Sequence, residues 1–256
     1  MTDGIRSSWV GPREIRRALR ALGEVAKDPN RTDSVGEFIA ALTGPSAVRL
    51  FERVWDDPTG RRLLEEKCDL KATLDDRASL ATLPAGSLGR VYHDWTADRH
   101  LSAEGIAAAI SAQVPRTLET PYAVMAARVV DMHDIWHVLN GWDTDIHGEI
   151  HLLGYSHAQL GAYAWLLLAL PAVVILSAAG RRDSVGYLRN AIRRGRRASL
   201  LAAVDWEAML PLPIDEVRRR LGIDEPESYR KLDSAEIAEV GSRSRLARLL
   251  RTVLAN

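Results

Sequence analysis

The sequence predicts an all-α fold, a single mainly helical domain, on three observations. Apolar residues recur at spacings of three and four along almost the whole chain, alternating β-branched runs are scarce, and no repeat or linker divides it. With 256 residues, 46% of them hydrophobic, there is enough apolar material for one large core. The expected centre is an antiparallel helix hairpin that carries a metal site beside an apolar groove. The helical domain is placed at 1–231, with an amphipathic tail at 232–256.

In chain order, Ile15, Leu19, Leu22 and Val25 mark a first helix that ends near "KDPN". "SVGEFIAAL" and "SAVRLFERVW" mark two more, separated by Thr43, Gly44 and Pro45, and "DDPTGRRLLEEK" opens the fourth. "LPAGSLG" is a turn-rich interruption before the aromatic "RVYHDW" and a short helix through "AEGIAAAI". Thr120 is a good N-cap and Pro121 a good first helical residue, so a helix is expected from there to Asn140 and Gly141. "WDTD" makes the turn, with Asp143 and Asp145 shaping it, and the second arm of the hairpin begins near Asp145.

From Ala158 to Gly180 the chain holds no charge and is long enough to span a bilayer, but Pro171 interrupts it, and a buried helix is the expectation. The arginines from Arg181 to Arg197 that follow are opposed only by Asp183, a basic patch suited to anionic headgroups or to a solvated helix face. After Lys231, Leu246, Leu249, Leu250, Val253 and Leu254 form a stripe beside four arginines, as on a helix that docks on the core or lies on a membrane.

Thirty-four basic residues balance thirty-four acidic ones, so nothing in the charge suggests a nucleic-acid partner. Cys68 is the only cysteine, which rules out a disulfide framework or a thiolate zinc cluster and reads as a spare thiol. The N-terminus has no apolar secretory region and no evident mitochondrial presequence, and arginine and alanine are abundant. The expected location is cytoplasmic, in a bacterium, peripheral on the cytoplasmic face of the membrane.

The chemistry concentrates in "HDIWHVLNGWDTDIHGEIH", which holds four of the seven histidines. His133 and His137 stand one helical turn apart, so both imidazoles can reach one ion, and Asp134 lies beside them. Glu149, eleven residues beyond His137, is returned by the hairpin to the same level. Two imidazoles and two carboxylates suit tetrahedral zinc, whose charge the carboxylates cancel; iron or manganese also fits these donors. His147 and His151 form a second pair a turn apart that can replace a ligand, support one, or face water.

Rival chemistries share these residues. HD-type phosphohydrolases join a histidine, a His-Asp pair and a distant aspartate around metal, and His93, Asp94, His133 and Asp134 supply such pieces. In a zinc peptidase HDxxH stands in for HExxH, with an aspartate one carbon short of the water it must activate. Neither hydrolase explains the long uncharged segment beside the site.

The motif, HDxxH followed after eleven residues by glutamate, resembles that of the coenzyme Q biosynthesis protein 4 family, matched without a gap by His133, Asp134, His137 and Glu149. The likeness extends through "DPNRTDSVGEFIAAL", "PTGRRLLEEK", "LPAGSLGRVY" and "VDWEAMLPLPIDEVRRRLGI", over roughly residues 15 to 231. His147 and His151 depart from it, standing where apolar residues are expected, and the tail lies outside it.

The resemblance implies a mainly helical protein that binds a divalent metal, taken to be zinc, through those four residues and associates peripherally with a membrane. It implies ubiquinone biosynthesis by a lyase: oxidative decarboxylation at ring carbon C1 of a polyprenylated 4-hydroxybenzoate precursor, with oxygen or another oxidant as co-substrate. The alternative is a noncatalytic, lipid-binding scaffold for other quinone-biosynthesis proteins. A prenyl tail needs an apolar groove beside a polar site, and Ala158 to Gly180 is the segment expected to wall it. Association into a homo-oligomer is open.

Overall fold

Many of the described helices start on a side chain that caps them or stop on a glycine, as Asp57, Thr120 and Asp145 do at starts and Gly141, Gly161 and Gly222 do at ends. The computed structural model describes residues 12–27, 32–98, 118–232 and 236. Every regular element among them is helical.

Helices α1 (Pro12–Lys27) and α2 (Thr32–Asp56) pack together. Of the four residues expected to mark α1, Ile15 and Leu19 are exposed, and the side chains of Leu22 and Val25 lie outside the described residues; Ala18 and Ala21 are buried, small side chains that let the two helices approach. The two helices expected on either side of Thr43–Pro45 are one, α2, with Pro45 inside it. Ser46 Oγ donates to the Thr43 carbonyl at 2.8 Å, and burial of Ala41, Leu50 and Val54 on both flanks offsets the roughly 3 kcal/mol a helical proline costs.

Three short helices follow, α3 (Pro58–Glu65), α4 (Leu70–Asp75) and α5 (Arg77–Thr82). Asp57, Asp69 and Asp76 cap them by accepting from free backbone N–H groups of the first turns. The aromatic segment "RVYHDW" lies in α6 (Leu88–Asp98). The short helix expected through "AEGIAAAI" lies outside the described residues, as does the tail except for Leu232 and Glu236.

Thr120 caps the next helix through its side chain, and Pro121 is its first residue, as expected. The helix does not run unbroken to Asn140: it ends at Asp131, giving α7 (Pro121–Asp131), and restarts as α8 (His133–Asn140). At Met132 the N–H bonds both Arg128 and Val130 carbonyls, a tightened turn that no proline or glycine announces. Gly141 ends α8 at φ +70°, and Asp145 caps α9 (Ile146–Leu160).

The uncharged segment is also divided. Gly161 at φ +71° closes α9, and the chain resumes as α10 (Tyr163–Ala178), followed by α11 (Asp183–Arg197). At 1.5 Å per residue, the 16 residues of α10 extend about 24 Å, short of a bilayer core. No helix among the described residues is long and apolar enough to cross a membrane. A 3₁₀ turn (Leu201–Ala203) leads to α12 (Trp206–Met209) and α13 (Ile214–Leu221).

α9 is the central helix. It packs chiefly on α11 and on α10, and more narrowly on α8. Glycine makes the α9–α11 approach close: a Cβ at Gly154 would meet Leu188 Cδ1 at 2.9 Å, and one at Gly195 would meet Ala158 Cβ at 2.8 Å. Gln159 ties the far end, donating to the Gly195 carbonyl and accepting from the Leu201 N–H.

After α13 an irregular strap, residues 222–232, returns over the turn between α8 and α9. Buried Arg194 holds its start through the Asp224 and Glu225 carbonyls, Tyr229 Oη donates to Asp145 at 2.5 Å, and the Asp143 N–H donates to Tyr229 Oη at 2.7 Å. Pro226 fills the space beside Gly141, where a Cβ would lie 2.7 Å away. Arg218 caps α8 from below by donating to the Leu139 carbonyl at 2.8 Å.

Candidate metal centre

Three elements build the site. α8 presents His133 and His137 one turn apart, the Gly141 turn reverses the chain, and the first turn of α9 brings Glu149 back. Gly148 is what lets α9 close so near the turn, because a Cβ there would overlap the Asp143 carbonyl oxygen at 1.8 Å.

One donor atom each from His133, His137 and Glu149 lie within 4.8 Å of one another, a triad able to hold a metal ion. His137 is fully buried, and neither ring nitrogen has a hydrogen-bond partner. Its Nε2 stands 3.5 Å from Glu149 Oε1. Ligands at ~2.0–2.1 Å around a tetrahedral ion lie roughly 3.4 Å apart, so the spacing suits a shared ion better than a direct bond. A buried imidazole without partners otherwise costs free energy, and a cation would satisfy it.

The fourth expected ligand, Asp134, turns to its neighbour: its Oδ1 meets His133 Nδ1 at 2.9 Å. That bond fixes the ring and occupies Nδ1, which leaves Nε2 as the nitrogen available to an ion. Burial acts to lower the His133 pKa, but the Asp134 bond and the Asp134 and Glu149 charges outweigh it and leave it raised. Burial acts to raise Glu149, and the charges of His137 and His133 instead hold it below the usual carboxylate range. Asp134 is lowered in the same way, against its burial, by His133.

His147 and His151 point elsewhere. His147 Nδ1 lies 2.7 Å from the Arg230 carbonyl and its Nε2 lies 3.1 Å from Ser184 Oγ; His151 Nδ1 lies 2.7 Å from the His147 carbonyl. The His151 ring stacks on Trp142 and meets Tyr187 and Tyr229. This pair anchors the strap and α11 from the side of α9 away from Glu149. His93 and Asp94 bond each other on α6, and Asp94 is also held by Arg90; neither is part of the triad.

Two residues that spacing did not single out flank the site. α6 packs on α8, and Trp95 stacks on His137 with ring centroids 5.6 Å apart. Tyr92 is buried close enough to feel the Asp134 charge, and burial first, then that charge, push its phenol upward, so it stays protonated. The only signal was the aromatic run "RVYHDW". A cleft of about 410 Å³ lined by Leu80, Leu83, Leu210 and Pro211 shares no residue with the triad.

Residues 15–227 match the family described as Coenzyme Q (ubiquinone) biosynthesis protein Coq4. The chain belongs to this family. Coq4 membership carries the role in ubiquinone biosynthesis for which the family is named. Among Coq4 relatives, the mitochondrial ubiquinone biosynthesis protein COQ4 of Phaeosphaeria nodorum is 31% identical over 210 residues, 82% of this chain and 71% of that one. The mitochondrial COQ4 of Yarrowia lipolytica is 30% identical over 223 residues, 85% of this chain and 83% of that one.

A crystal structure of a protein from Nostoc punctiforme, named for ubiquinone biosynthesis, superposes with a TM-score of 0.61 at 23% identity. It covers 82% of this chain and 99% of that one, and shows the Coq4 chain to share its fold. The curated relatives correct the expected location: they are mitochondrial proteins of fungi, so the bacterial cytoplasmic placement read from the N-terminus falls.

Proposed function

We propose that the protein is a metal-dependent lyase that replaces the C1 carboxyl of a polyprenylated 4-hydroxybenzoate-derived ring by hydroxyl. The observation that carries this reading is the unpartnered, fully buried His137 held against Glu149. His133, His137 and Glu149 would hold the ion, most suitably zinc, with iron or manganese as chemical alternatives. Such an ion supplies Lewis-acid stabilisation of charge on the substrate's carboxylate or phenolate oxygen.

The chain's own residues do the rest. Asp134 keeps His133 in one tautomer and orientation. Trp95, stacked on His137, and Tyr92, protonated beside Asp134, give an aromatic wall and a neutral O–H donor. The carboxyl carbon leaves as carbon dioxide, and the ring carbon is oxidised by two electrons as it gains oxygen. Because zinc exchanges no electrons, dioxygen or another oxidant must enter as co-substrate.

The test is incubation of metal-loaded, full-length protein with a short-tailed prenyl-4-hydroxybenzoate-derived acid in air, read by mass spectrometry. Conversion of carboxyl to hydroxyl that His137→Ala and Glu149→Ala abolish is expected. No conversion by metal-loaded protein under air, or full conversion by variants that bind no metal, would overturn the catalytic-metal reading. The first of these results favours a noncatalytic scaffold for other quinone-biosynthesis proteins, its metal bracing α8 against α9.

A further inference from the structure

Helix α10 is covered on one side and bare on the other. Ala164, Ala169, Val173 and Leu176 are buried, whereas Tyr163 is 72% exposed and Leu167, Leu170 and Val174 are 43–45% exposed. Their spacing of four, three and four residues places these four in one line, about 16 Å long at 1.5 Å per residue. The line holds no charge, and a continuous apolar ridge in water marks a contact surface.

The chain itself returns to one end of this ridge. Arg181 is folded back on the last turn of α10, its N–H donating to the Leu176 carbonyl at 2.8 Å. Its guanidinium donates to Glu236 Oε1 at 3.0 Å, and Arg230, from the strap, donates to the same oxygen at 2.6 Å. Glu236 is thereby held at the end of α10 where Val174 lies, and the tail sets out from there.

The tail's sequence matches the ridge in character and in length. On a helical period Leu246, Leu249, Leu250, Val253 and Leu254 make one stripe about 12 Å long. Arg248 and Arg251 stand two residues from members of that stripe, which puts them on the opposite side. Nine residues separate Glu236 from Leu246, and Gly241 among them lets the chain turn. Extended, that connection reaches on the order of 33 Å, more than the ridge requires.

We infer that residues 244–254 dock along the α10 ridge as a cover supplied by the chain itself, with leucines against Leu167 and Leu170 and with Arg248 and Arg251 in water. The tether selects this occupant. A short flexible connection holds the tail at an effective concentration of about a millimolar, so a small apolar contact suffices. A second copy has no such tether, and four side chains fall far short of the roughly 20–30 residues a side of a standard interface between chains. The tail lies beyond residues 15–227, the part that matches Coq4, and the inference does not depend on the proposed chemistry.

The test is disulfide trapping in full-length protein carrying Cys68→Ser, which removes the only native cysteine. Under mild oxidation, Leu167→Cys or Leu170→Cys, each combined with Leu250→Cys, should close a bond within one chain. At least one of these pairs should react about tenfold faster than Lys71→Cys with Leu250→Cys, whose first site lies on α4. An apolar fluorescent dye then reads the ridge without cysteines. Leu249→Gln with Val253→Gln should raise dye binding severalfold, and adding Leu167→Gln and Leu170→Gln to that variant should abolish the rise.

Equal trapping by the Lys71 pair overturns the inference. Bonds that form only between chains also overturn it, and reassign the ridge to a second copy. Dye binding that Leu249→Gln with Val253→Gln leaves unchanged overturns it as well. If that variant also fails to float with anionic vesicles that carry the wild type, the tail is assigned to lipid instead. The single variants Leu250→Gln and Leu170→Gln give the dye readout in smaller steps should a combined variant not fold.

Discussion

The Nε2 atom of His137 stands 3.5 Å from Oε1 of Glu149, and the imidazole makes no hydrogen bond through either nitrogen. The pair joins the last turn of α8 to the first turn of α9 across the Gly141 reversal.

Metal should therefore stabilise the fold. At free metal a hundredfold above Kd, the gain is about 2.7 kcal/mol, and a chelator should remove it as a fall in Tm. His137→Ala and Glu149→Ala should each lose stoichiometric metal in elemental analysis and be blind to chelator. A chelator shift retained in both variants would place the ion elsewhere.

Gly148→Ala tests the geometry without touching a ligand. Its Cβ would overlap the Asp143 oxygen, so the first turn of α9 must move and carry Glu149 with it. Metal affinity by calorimetry should fall by 10-fold or more, on the order of what displaced supporting groups cost such sites. Serine at Gly86, where a Cβ meets nothing within 4 Å, is the control for glycine loss; being strained at φ +78°, it should cost stability and leave the metal alone.

His151 makes the fold acid-sensitive. Burial among Trp142, Tyr187 and Tyr229 pushes its pKa down from 6.5 to about 4. The unfolded chain therefore binds this proton more readily, and the stabilisation present above pH 6.5 is lost as pH falls towards 4. The gap between the two values corresponds to about 3 kcal/mol. Urea denaturation across that window should show a shallower loss for His151→Phe, which keeps an aromatic ring and has no proton to gain; parallel curves would remove this residue as the cause.

Arg128 is 1% exposed and is bonded to Glu207 through both terminal nitrogens, at 2.6 and 2.9 Å. Glu207→Gln leaves a buried charge uncompensated and should cost about 3–5 kcal/mol in denaturant unfolding. Arg128→Met, which removes the buried charge itself, should cost less. The reverse order would show the pair to matter through packing.

What the residues revealed depended on how far away the deciding contact lay. Thr120, Pro121 and Gly141 are local signals, and the helix ends they mark are where the spacing put them. The break at Met132 carries no local mark, and Pro45, a strong local mark, is overridden by packing along α2. His133, His137 and Glu149 converge because a tight reversal is itself local. His147 was undecidable from its spacing, since its partner is the carbonyl of Arg230, 83 positions along the chain. Tyr92 and Trp95 reach the site only because α6 lies on α8, a contact no nearby pattern encodes.

The strap gives the protein an unusual point of failure. Tyr229 clamps Asp143 and Asp145, Pro226 closes over Gly141, and His147 is moored to Arg230. A chain stopped at Leu221 would still spell the whole metal motif, yet the loop that presents it would have lost its latch. Damage near the end of this chain can thus silence a centre whose own letters are intact.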